Sequence, residues 1–121
     1  QEKTEVPVPT PDAPKGTYLN VEVDEFKQLI TKGGALLIDV RTQKEYDEGH
    51  IEGAQLMDFF SKDLKEQIGQ LDKEKTVLVY CRSGKRSSSA MMKMEAEGVK
   101  TVYNLSGGIL GWINNKESVV K

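Results

Sequence analysis

Apolar residues in this chain come in short runs separated by polar segments, and the runs alternate between two periods. Tyr18–Val23 alternates, with Leu19, Val21 and Val23 on one side, and predicts a first strand. Asp24 then suits a helix N-cap, Phe26, Leu29 and Ile30 share one face of the helix that follows, and Gly33-Gly34 ends it. Ala35-Leu36-Leu37-Ile38-Asp39-Val40 is an apolar run broken only by Asp39, the pattern of a strand covered on both faces. A carboxylate at the end of such a strand needs a partner. Residues 41–53 are polar and predict one short helix at 43–48. A short strand at Ala54–Met57 comes next, then a helix around Ser61–Ile68 with Phe60, Leu64 and Ile68 as an apolar stripe. Lys73–Lys75 is a charged turn. The most apolar run, Thr76–Tyr80, predicts the central strand. Ser87–Glu97 reads as a helix with Ala90, Met91 and Met94 on its inner face and Gly98 as its stop. Thr101–Leu105 is the last strand, Gly107-Gly108 a turn, and Ile109, Trp112 and Ile113 the inner face of a closing helix.

Strands alternating with helices at this spacing predict an α/β domain with a mainly parallel sheet. Sites in such sheets lie at the carboxyl ends of strands. Two of those ends carry chemistry here: Asp39 after one strand and Cys81 after another.

Residues 1–16 stand outside this pattern. All four prolines fall between Pro7 and Pro14, which predicts an extended or disordered spacer ahead of one domain at 17–121. The first residue is Gln1 rather than Met. A cleaved export signal followed by a Pro-rich tether is the expectation this raises, with a periplasmic or cell-envelope location. A trimmed chain explains the first residue equally well and would leave the protein cytoplasmic.

Apolar residues make up 37% and charged residues 30% of the 121, as in soluble globular proteins. The net charge of −2 excludes a general attraction to nucleic acid or anionic lipid. No apolar run approaches the roughly 20 residues that span a bilayer. One cysteine and one histidine exclude an internal disulfide, a multi-thiolate metal site and a His-rich one, so neither metal nor cofactor is expected.

A lone cysteine is most simply a small buried hydrophobe. The segment Cys81-Arg82-Ser83-Gly84-Lys85-Arg86-Ser87 argues otherwise. It leaves the central strand and enters a helix, so backbone N–H groups and the helix dipole converge on the thiol. Three cations surround it. Each factor favours a thiolate at neutral pH.

Three segments resemble the single-domain rhodanese (sulfurtransferase) family. Asp39-Val40-Arg41, Glu45-Tyr46, Gly49-His50-Ile51 and Gly53-Ala54 match its D-V-R-x-x-x-E-[FY]-x-x-G-H-I-x-G-A stretch. Cys81–Ser87 matches C-x-x-G-x-R-[ST]. Leu105-Ser106-Gly107-Gly108 with Trp112 matches L-x-G-G-x-x-x-W. Together they cover residues 17–115. The family's usual apolar-Asn-[IV]-Pro segment is replaced by Gln55-Leu56-Met57-Asp58. The resemblance implies a five-stranded, mainly parallel sheet with helices on both faces. It also implies that Cys81 takes the outer sulfur of a small anionic donor such as thiosulfate, carries it as a persulfide and passes it to cyanide or a thiol, a protein thiol included. A monomer is expected.

On this reading the backbone of residues 82–87 cradles the persulfide, and Gly84 permits the loop conformation. Arg82 and Lys85 draw in the donor, and Ser83 and Ser87 complete the cradle. Arg86 is expected to brace the loop against Asp39, and Arg41 and Glu45 to pair with each other or with nearby backbone. His50 is expected to organise its loop by a hydrogen bond rather than act as a base. Two other readings stand beside this one. Phosphatases and arsenate reductases of the same fold use a Cys loop with five residues before its Arg, whereas here there are four, 82–85. A non-catalytic sulfur-carrier or interaction module would use the same thiol with protein partners on both sides.

Overall fold

The computed structural model describes residues 16–121; the expected Pro-rich spacer falls, but for Gly16, outside the described residues. Ten elements follow in the order β1 (Thr17–Val21), α1 (Val23–Lys32), β2 (Leu36–Asp39), α2 (Gln43–Glu48), β3 (Gln55–Leu56), α3 (Leu64–Gly69), β4 (Thr76–Tyr80), α4 (Lys85–Ala96), β5 (Thr101–Leu105) and α5 (Gly108–Asn114). The strands form one sheet in the order β1-β5-β4-β2-β3. Every pairing is parallel, with Leu36 beside Val77 and Thr76 beside Thr101 at the amino ends.

The twofold alternation of β4 divides the interior. Val77, Val79 and Cys81 face Leu64, Ile68, Ala90 and Met94 of α3 and α4. Leu78 and Tyr80 face Phe26 of α1 and Ile109 and Trp112 of α5. The sheet is therefore covered on both faces, which is why β2 and β4 read as continuous apolar runs.

The chain departs from its pattern in four places. Val23 begins α1 instead of ending β1, so Glu22, not Asp24, is the N-cap. Phe60 lies outside α3 and is 68% exposed. The Asp58 carboxylate accepts from the Phe60 N–H at 2.8 Å and the Ser61 hydroxyl oxygen accepts from the Asp63 N–H at 3.0 Å. These local bonds compete with helix and delay its start to Leu64. Ile113 is exposed, because only Ile109 and Trp112 of α5 reach the sheet. Helix α4 begins at Lys85, two residues before Ser87, which puts Arg86 inside its first turn.

Candidate active site

The carboxyl ends of β4 and β2 lie side by side, with Asp39 paired to Tyr80, and the chemistry gathers there. Cys81 is the first residue beyond β4 and is 1% exposed. Its Sγ accepts a hydrogen bond from the Gly84 N–H at 3.1 Å, and the Ser87 hydroxyl stands 3.4 Å away. That hydroxyl also lies 3.1 Å from the Gly84 carbonyl and has one proton to give, so it can turn to the sulfur when charge appears there. Burial works against ionisation and is the largest single influence on the thiol. The Ser87 hydroxyl and the backbone N–H groups of Ser87, Gly84 and Ser83 together outweigh it and hold the Cys81 pKa below its ordinary value.

The N–H groups can face inward because the carbonyls are held outward. The Cys81 carbonyl accepts from the Ile109 N–H at 2.9 Å and the Arg82 carbonyl from the Leu110 N–H at 3.2 Å. The first turn of α5 therefore grips the back of the loop. This grip requires close approach of two backbones. A methyl group at Gly108 would fall on the Arg82 carbonyl, and one at Gly84 on the Ser106 carbonyl oxygen. Both glycines also have positive φ, 63° and 104°. Glycine is needed at each for space and for backbone conformation.

The charged residues pair differently from the expectation. Arg86 does not brace the loop against Asp39. Its guanidinium forks onto Glu45, at 2.9 Å and 3.1 Å. Glu45 also caps α2 by accepting from the Thr42 N–H at 3.1 Å. These bonds, Arg86 first, hold the Glu45 carboxyl down at about 2 despite its partial burial. Asp39, fully buried, is held by Arg41, whose Nε donates at 3.0 Å to Oδ1 and whose second terminal nitrogen donates at 2.7 Å to Oδ2. Arg41 also donates to the Gly49 carbonyl at 2.6 Å. Only Val40 separates Asp39 from Arg41, so their pair closes locally and leaves Arg86 for the carboxylate across the cleft.

His50 is 2.9 Å through Nδ1 from the Tyr46 carbonyl and stacks on the Tyr46 ring at 3.7 Å. Its backbone forms an antiparallel bridge to Val120, with both N–H···O distances 2.8 Å. It lies in the loop that also carries Gly49. The Ile51 N–H of that loop donates to the Tyr80 hydroxyl at 3.0 Å. Arg82, Ser83 and Lys85 are exposed, and neither cation makes an ion pair among the described residues. A cleft of about 220 Å³ beside the loop is bordered by Arg41, Glu45, Arg82, Ile109 and Leu110. The structure thus gathers Asp39, Arg41, Glu45, Arg82, Gly84, Arg86 and Ser87 around Cys81, with His50 joined through the Gly49–Ile51 loop, while the Ser83 and Lys85 side chains are exposed. It adds Tyr80 and Asn104, whose amide donates to the Gly84 carbonyl at 3.3 Å. Neither carried a sequence signal: a tyrosine at the end of an apolar strand and an asparagine within another read as packing and edge residues.

The comparisons fit this geometry. The family model described as Rhodanese-like domain matches residues 22–115. The thiosulfate sulfurtransferase GlpE of Coxiella burnetii is 37% identical over 95 residues, which cover 78% of this chain and 87% of that protein. The tRNA uridine(34) hydroxylase of Yersinia pestis is 36% identical over 99 residues, but the chain spans only 27% of its length. Among solved structures, a rhodanese-related protein of Thermoplasma volcanium superposes with a TM-score of 0.74 at 26% identity, covering 85% of this chain and 98% of that one.

Proposed function

The chain belongs to the rhodanese-like domain family, and from that premise we propose that it is a sulfurtransferase working through a persulfide on Cys81. One observation carries the reading: a buried thiol held below its ordinary pKa by the Ser87 hydroxyl and the backbone N–H groups of Ser87, Gly84 and Ser83, in a loop with four residues between Cys81 and Arg86 whose Cys81 and Arg82 carbonyls are held by α5. Such a loop aims backbone N–H groups at an anionic sulfur in advance, and only the Ser87 hydroxyl has to turn towards it.

The Cys81 thiolate attacks the outer sulfur of thiosulfate. A sulfur–sulfur bond forms to Cys81, the one within thiosulfate breaks, and sulfite leaves with the electron pair. Cyanide or a thiolate then takes the terminal sulfur and returns the Cys81 thiolate. Both half-reactions keep charge constant and need no general base once the thiol is ionised. Arg82 and Lys85, exposed on the loop, attract the dianionic donor. Arg86 and Arg41 are committed to Glu45 and Asp39 and serve as struts. The acceptor comes from outside, since these 121 residues hold no second cysteine.

Intact mass after incubation with thiosulfate tests the proposal. The expected result is a gain of one sulfur atom, reversed by cyanide and absent from Cys81→Ser. No adduct under those conditions would remove the persulfide mechanism. Cys81-dependent hydrolysis of an aryl phosphate would instead favour the phosphatase chemistry.

A further inference from the structure

Asn104 is 1% exposed on β5 and carries a buried Oδ1 with no hydrogen-bond partner among the described residues. It shares its face of the sheet with Val102, which packs in the core cluster beneath α4. A buried amide is costly there, and an apolar side chain of similar size would fill the space without an orphaned acceptor. The two donors explain the residue. Asn104 Nδ2 donates to Asn20 Oδ1 on β1 at 2.9 Å and to the Gly84 carbonyl at 3.3 Å. The position demands donation, and the unpaired oxygen is its accompaniment.

Gly84 is the residue whose N–H points at Cys81 Sγ. Its carbonyl has two further donors nearby, the Ser88 N–H at 3.0 Å and the Ser87 hydroxyl at 3.1 Å. Both belong to α4, the helix that Gly84 itself caps, and move with it. Asn104 alone among the three belongs to the sheet. Cys81 is tied to the sheet as well, as the residue after β4, and β4 pairs with β5. The Asn104 amide is therefore a fixed tie between the strand layer that carries the sulfur and the helix start that supplies its N–H donors.

We infer that Asn104 is a positioning residue for the reactive thiol, setting the Gly84 N–H at bonding distance from Cys81. Asn20 orients the amide from the far side. The inference rests on the proposed reading of Cys81 as the reacting group, and it adds a strand residue to a site otherwise built from loops and helix ends.

The test is the pH dependence of Cys81 alkylation by iodoacetamide in Asn104→Leu, Asn104→Ser and Asn20→Ala, with thermal unfolding of each measured alongside. Both Asn104 variants should raise the titration midpoint by about half to one pH unit, the effect of losing one well-aligned donor. Asn20→Ala removes the partner that orients the amide but leaves its donor to the Gly84 carbonyl, and should raise the midpoint by less than either Asn104 variant. An unchanged midpoint in folded Asn104→Leu overturns the inference. So does a failure of both Asn104 variants to fold, since that makes Asn104 a stability residue. The readout needs no sulfur transfer. A raised midpoint in a protein that never accepts sulfur from thiosulfate would overturn the proposed function and leave the role of Asn104 standing.

Discussion

Arg86, in the first turn of α4, is forked onto Glu45, in the first turn of α2, so the helix that begins at the thiol loop is pinned to the helix that follows β2. The pair is about three-quarters buried, with side-chain exposures of 22% and 24%. Its sign follows from the depressed Glu45 carboxyl. Stability from this pair is fully present above the ordinary value of 4.5 and is lost as pH falls towards about 2.

Glu45→Gln should therefore lower the unfolding free energy at pH 7 by about 1–3 kcal/mol and flatten the acid limb of the stability curve. Chemical denaturation between pH 2 and 7 measures both. An acid limb as steep in the variant as in the parent would place the titrating group elsewhere.

Gly108→Ala should damage the site more than the fold. The added methyl meets the Arg82 carbonyl, and positive φ adds strain of about 1 kcal/mol or more. The Cys81 and Arg82 carbonyls would lose their α5 donors, and the loop could reverse a peptide. Alkylation of Cys81 at pH 7 should slow while far-ultraviolet circular dichroism stays close to that of the parent.

Tyr80→Phe leaves the buried Ile51 N–H without its acceptor. A loss of about 1–3 kcal/mol is expected from thermal unfolding. Burial and the neighbouring Asp39 keep the Tyr80 hydroxyl protonated at all working pH values, so the loss should not vary with pH between 6 and 9.

Arg82→Ala and Lys85→Ala should each lower kcat/KM for thiosulfate by several-fold at low salt and leave kcat at saturating thiosulfate nearly unchanged. The deficit should shrink as ionic strength approaches about 1 M, where the screening length falls to about 3 Å. A deficit independent of salt would mean that these side chains contact the bound donor instead of attracting it.

The sequence made the Cys81–Ser87 loop readable because its requirements are written in residue identity. A single cysteine after an apolar strand, glycines where backbones touch and the cations between them leave few alternatives. The parallel sheet followed from β2 and β4, whose runs are apolar on both faces. Partner choice was not readable. Asp39 has Arg41 two residues away and Arg86 across the site, and composition does not say which guanidinium folds back. The structure decides it through the Gly49 carbonyl, which fixes Arg41 over Asp39. Phe60 was misplaced because the period of Phe60, Leu64 and Ile68 is helical, while the Asp58 and Ser61 side chains, invisible to hydrophobic patterning, hold the turn open.

The strand order β1-β5-β4-β2-β3 sets a sequence in time. β1 is made first and pairs only with β5, made last, so Asn20 waits 84 residues for Asn104. Until then β2, β3 and β4 can assemble, but Cys81 lacks both the α5 turn behind its loop and the amide beneath it. During synthesis the α5 contacts behind the Cys81 loop and the Asn104 bond to the Gly84 carbonyl therefore form only after β5 and α5 have emerged.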